Sequence, residues 1–89
     1  MADINQQAQS QVLRFVQQRG NGTTCPSEVA RALAREAETP DDWRHYMPAV
    51  HAAVDDLHAR GDVRLSWKSV TMPERDGPYR IGNGKPESK

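Results

Sequence analysis

Along the first stretch of the chain, Ile4, Ala8, Val12, Phe15 and Val16 fall on one stripe at helical spacing, and glutamines fill much of the other side. The pattern predicts a helix from Ile4 to Arg19. Asp3 caps it, Gln6 completes a capping-box pattern, and Gly20 suits the left-handed residue that ends it. Thr23 and Thr24 are β-branched and predict a short extended piece. Pro26 opens a second helix, because its missing N–H costs nothing in a first turn. Glu28 then lies near the positive end of the helix dipole. Val29, Leu33 and Ala37, with Ala30 and Ala34 beside them, form the inner face of this helix. Ser27, Arg31, Arg35 and Glu36 form the outer one.

A third apolar stripe, Trp43, Met47, Val50, Val54 and Leu57, advances in helical steps. Thr39, Pro40, Asp41 and Asp42 form a helix start ahead of it. Pro48 interrupts the stripe and removes a backbone hydrogen bond. The pattern therefore predicts one short turn over residues 40–46 and a longer helix from about Pro48 to Arg60, with Gly61 as its stop. Beyond Gly61 the period changes to two. Val63, Leu65 and Trp67 alternate with Arg64, Ser66 and Lys68 in a half-buried strand, and Tyr79 and Ile81 flank Arg80 in another. "SVTMPERDG" between them reads as the tip of a hairpin. Residues 83–89 read as a disordered tail.

This order is helix, short strand, helix, helix, strand, wing, strand. Short connections leave few compact solutions for it. The expected fold is α+β, mainly α: a winged helix-turn-helix over residues 1–82, with three helices plus a small antiparallel β-wing. Trp43, Val50, Val54 and Leu57 are expected to pack on Phe15, Val29 and Leu33.

Composition refines this picture. An 89-residue chain makes one small domain with a modest core and little room for a deep cleft. Only 14 residues are Leu, Ile, Val or Phe, a count that would suggest disorder if net charge were high. Here 12 Lys+Arg balance 12 Asp+Glu, and ten alanines add apolar volume, so the core reads as small and alanine-rich. The single cysteine rules out an internal disulfide and fits a reducing cytoplasm. The polar N-terminus lacks a signal peptide's apolar run, and no stretch approaches a membrane helix. A soluble cytoplasmic domain is the expectation.

"CPSEVARAL" at residues 25–33, Trp43, "MPAV" through Leu57 and Gly61, and "GPYRI" at 77–81 resemble a small bacterial family that carries a domain-of-unknown-function label. The resemblance spans roughly residues 10 to 82, and implies a winged-helix-like fold with no established activity. The chain departs from it at "SWKSV", where such proteins carry a Gln-Lys-Gly-like stretch. No catalytic residues come with the resemblance.

Zero net charge argues against a strong nucleic-acid binder, since phosphate neutralisation supplies most of that affinity. The distribution is uneven. Residues 39–60 carry Arg44 and Arg60 against Asp41, Asp42, Asp55 and Asp56; residues 61–89 carry six cations against four anions. Arg64, Lys68 and Arg80 are expected on one strand face with Arg75 at the hairpin tip, where a wing follows a phosphate backbone. The third helix presents His51 but no Arg, Lys, Asn or Gln to read bases until Arg60, and its two aspartates repel phosphate. Arg44 and His45 stand just before it, where contacts concentrate.

The candidate DNA-contacting residues are therefore Arg44, His45, His51, Arg64, Lys68, Arg75 and Arg80. The expected function is DNA binding of modest, mainly backbone-directed affinity, in a transcription-related regulator whose partner is double-stranded DNA. The alternative is a protein–protein interaction module that uses the third helix and the wing. His51, Asp55 and His58 share one helix face but lack the fourth ligand of a structural zinc site, so no metal is expected. Cys25 reads as a small packed side chain rather than a nucleophile. No catalytic residues and no cofactor are expected.

Overall fold

In the computed structural model, residues 4–20, 22–68, 70–75 and 77–84 are described. The elements are α1 (Ile4–Arg19), β1 (Thr23–Thr24), α2 (Pro26–Glu36), a 3₁₀ segment (Pro40–Tyr46), α3 (Met47–Ala59), β2 (Val63–Trp67), β3 (Val70–Met72) and β4 (Arg80–Asn83). This is the expected α+β, mainly α fold: three helices and an antiparallel sheet, with α2, the 3₁₀ segment and α3 in a helix-turn-helix arrangement. Asp3, the expected cap of α1, lies outside the described residues.

α2 and α3 stop on the same backbone device. After α3, the Gly61 N–H bonds the His58 carbonyl and the Asp62 N–H bonds Leu57, with Gly61 at φ +82°. After α2, Glu38 bonds Arg35 and Thr39 bonds Ala34, with Glu38 at φ +64°. Both are Schellman closures. The first uses the expected glycine; the second puts a glutamate where an L side chain is strained.

The sheet order is β1-β4-β2-β3, antiparallel throughout. β3 was not expected. The stretch read as a hairpin tip instead turns back at once after β2, so that Trp67 pairs with Val70 and Leu65 with Met72. Lys68 makes that turn at φ +52°. The chain then returns past β2 through residues 73–79 to place β4 on the other edge of β2. β4 also runs further than expected: Asn83 pairs with Val63, and the Gly84 N–H bonds the Asp62 carbonyl. The rest of the expected tail, residues 85–89, lies outside the described residues.

The core sits where α1, α2 and α3 meet the inner sheet face. Val12, Val29, Val50, Val54, Leu57, Val63, Leu65 and Ile81 are almost wholly buried. Ala8, Ala30, Ala34 and Ala53 are fully buried too. Two expected core residues lie at its margin. Phe15 and Trp43 are only partly buried, and Ile4 is exposed.

Leu57→Ala should cost about 2–5 kcal/mol, as buried leucines do. Glu38→Gly should stabilise by about 0.5–1 kcal/mol, because relief of the left-handed strain exceeds the added entropy of the unfolded chain. Urea unfolding of both variants checks the pair; a Glu38→Gly protein no more stable than the parent would show that the closure is unstrained.

Candidate functional site

The loop from β1 into α2 is organised by one carboxylate. Glu28 accepts from the Thr24 hydroxyl (2.6 Å), the Cys25 N–H (3.2 Å) and the Arg19 guanidinium (3.0 and 3.1 Å). The hydroxyl bond is the largest cause that holds its pKa below the ordinary carboxylate value; burial opposes it and the N–H and Arg19 assist. β1, the start of α2 and the end of α1 are thereby tied together, with Cys25 and Ser27 held in place. Cys25 Sγ and Ser27 Oγ are 2.9 Å apart and share a hydrogen bond.

On the opposite side, the 73–79 segment is fastened to α3. Arg75 donates twice to the Asp55 carboxylate, at 2.9 and 3.0 Å. One helical turn away, His51 Nδ1 and the Tyr79 hydroxyl lie 2.7 Å apart. Tyr79 is only 4 % exposed, and burial pushes its pKa well up. Burial, and then Arg75, lower the His51 pKa, while Asp55 pulls weakly the other way. The Arg75 hydrogen bonds hold Asp55 below its ordinary value. Both partners of this ion pair are substantially solvated, so it contributes at most about 1 kcal/mol and chiefly sets position.

Between these two anchor points lies a cavity of about 320 Å³. Cys25, Pro26 and Ser27 line it from the start of α2, Met47 and His51 from α3, Trp67 from the end of β2, and Gly77, Pro78 and Tyr79 from the returning segment. Its walls are mostly apolar. Trp67 is 40 % exposed, and its cross-strand partner Val70 is 67 % exposed. A larger concavity of about 440 Å³ lies between α1 and α2, but Gln11, Arg14, Gln18, Arg35 and Glu36 make it polar. It contains none of the expected site residues.

The expected cationic set does not form one face. Arg64 and Arg80 are exposed on the outer side of the sheet, where Arg64 lies opposite Gly82 and Arg80 opposite Ser66. Arg80 is bonded to the Thr23 hydroxyl (2.7 Å) and carbonyl (3.3 Å). Lys68 is exposed but has left the strand for the β2–β3 turn. Arg75 is on the α3 side, neutralised by Asp55. Arg44 and Arg31 each stack on Trp43, their guanidinium carbons 4.5 Å from its ring centroid. His45 is exposed and meets Tyr46 edge-on. His51 is half-buried against Tyr79. Asp56 faces α1, where it accepts from Gln9 (3.2 Å).

A scan against known families matches residues 5–84 to a protein family of unknown function, DUF3253. The chain belongs to this family. The DUF3253 description assigns no activity, and no curated protein matches the chain. Among the described residues, no group of three His, Cys, Asp or Glu side chains is placed to hold a metal ion, and Cys25 and His51 share no hydrogen bond although they line one cavity. No helix among them is long and apolar enough to cross a membrane.

The cavity was not foreseen, because its walls come from four separate stretches of sequence. Trp67, read on the apolar face of the strand with Val63 and Leu65, is instead exposed at the strand end and lines the cavity.

Folding stability should depend on His51. Its folded pKa is below the ordinary 6.5, so the folded ring binds fewer protons than the unfolded one. The contribution of neutral His51 is therefore fully present above the ordinary pKa and is lost as pH falls through it towards the folded value. Urea midpoints between roughly pH 5 and 8 should fall towards acid, and His51→Gln should flatten that fall. Equal slopes in the two proteins would exclude His51 as the source.

Proposed function

We propose that this domain is a protein-interaction module whose contact surface is α3 together with the segment that returns from β3 to β4. One observation carries the reading. The returning segment is clamped onto α3 by Arg75–Asp55 and Tyr79–His51, so this side of the domain presents an uncharged apolar cavity with exposed Trp67 and Val70 beside it, not a row of free cations. Apolar surface left exposed in a small domain with few apolar residues marks a place where another protein seats. The exposed side chains of α3, among them Ala52, Asp55 and Ala59, include no residue that pairs bidentately with a base edge.

The outer sheet face favours a second reading. Arg64 and Arg80 are exposed there and Lys68 is exposed at the β2–β3 turn, and a winged helix-turn-helix lays such residues along a phosphate backbone. On either reading we take the protein to be a bacterial, winged-helix-related domain of the reducing cytoplasm, where Cys25 stays a thiol.

Photo-crosslinking separates the readings. A benzophenone side chain placed at Trp67 or Val70 in cells should give a discrete protein adduct, and one placed at Gln18 should not. In parallel, fluorescence anisotropy on two unrelated duplexes should show at most weak binding, indifferent to sequence. Tight binding that prefers one duplex, with no adduct at positions 67 and 70, would reverse the order of the two readings. A log–log salt slope near −3 would then point to about three phosphate contacts, as expected of Arg64, Lys68 and Arg80.

A further inference from the structure

The cavity beside Trp67 differs from the rest of the surface in its charge. More than a quarter of the chain is charged, yet no Asp, Glu, Lys or Arg lines this cavity. Its polar groups are matched to one another: Cys25 with Ser27, and His51 with Tyr79. The nearest ion pair, Arg75 with Asp55, is closed on itself. The lowered His51 pKa and raised Tyr79 pKa keep both rings uncharged at neutral pH.

Such a lining determines what fits. A charged group entering it would lose water and gain no counter-ion, so ionised ligands are rejected. An apolar group displaces water from Trp67, Met47 and Pro78 and leaves the Cys25–Ser27 and His51–Tyr79 pairs intact. A volume of about 320 Å³ is at the small end of ligand sites and holds one large side chain rather than an extended ligand.

We propose that this cavity receives one uncharged aromatic side chain presented by the partner protein. This rests on the interaction reading above and names the chemistry of its anchor. The wall is already assembled, because β2, α3 and the start of α2 are each held by their own hydrogen bonds. The anchor therefore enters a formed socket, as binding hot spots do. Exposed Val70 extends the apolar surface on the rim for the residues that flank the anchor.

The test uses the intact chain and three small aromatic probes, followed by NMR at the Trp67 indole N–H and the Met47 methyl. N-acetylphenylalanine amide should shift both signals saturably, with a Kd on the order of 1 mM, as its few heavy atoms allow. N-acetyl-4-carboxyphenylalanine amide, which carries its carboxylate on the ring that would enter, should bind at least about tenfold more weakly. Two independent blocks, Ser27→Phe and carboxamidomethylation of Cys25, should each weaken the amide by at least about tenfold, and a dispersed spectrum establishes that each blocked protein is folded.

Shifts that do not saturate, equal binding of amide and carboxylate, or binding unaffected by both blocks would overturn the proposal. p-Cresol that binds about tenfold or more tighter than the capped amide would assign the cavity to a small molecule and overturn the partner assignment. Probe binding with no crosslinked protein at positions 67 and 70 would remove the interaction reading, while probe failure with a crosslink would remove only the aromatic anchor.

Discussion

β4 accepts partners on both edges: Thr23–Thr24 on one and Val63–Ser66 on the other. This single placement constrains much of the molecule. It draws the start of the helix-turn-helix onto the sheet and buries Ile81 at the centre of the core. It also obliges the chain leaving β3, on the far edge of β2, to come back past β2. The return is short, and it is anchored at Arg75 and at Tyr79. The cavity is the space left beneath it, between the start of α2 and α3.

A second constraint works through charge. Glu28 gathers a hydroxyl, a backbone N–H and a guanidinium from three elements, and it does so in the first turn of α2, where the helix dipole also favours a carboxylate. Each contact is partly solvated and individually small. Together they fix the angle at which β1 enters α2, which in turn places Cys25 and Ser27 at the cavity wall. The chain uses its charges in this way repeatedly. Asp55 takes Arg75, Asp56 takes Gln9, and Arg31 and Arg44 stack on Trp43. The Arg19–Glu28 and Arg75–Asp55 pairs in this way tie one element to another.

The fold was legible where periodicity was strong. The α1 limits, the Thr23–Thr24 strand, the proline start of α2 and the break at Pro48 all follow from residue spacing and backbone chemistry. β3 was hidden because its turn lacks the usual signal. A two-residue hairpin favours Asn or Gly at left-handed positions, and Lys68 occupies one instead. Glu38 concealed the end of α2 for the same reason. Trp43 follows the apolar stripe of α3, yet sits on the 3₁₀ segment at the margin, where two arginines cover it. The candidate site was less legible still. Strand alternation correctly put Arg64 and Arg80 on the outer face, but the pairing of Arg75 with Asp55 depends on a path that no local pattern encodes.

The four fully buried alanines have an evolutionary corollary. Ala8, Ala30, Ala34 and Ala53 are wholly enclosed, and a methyl group cannot fold aside. Substitutions that enlarge them would wedge the helices apart and disturb the β1–α2 junction, whereas trimming a marginal residue such as Phe15 leaves the helix contacts intact. Within such a lineage these positions should drift only among the smallest side chains, while bulk varies freely at the rim. Tolerance to mutation is thereby ordered by how fully a position is enclosed, and not by the size of the residue replaced.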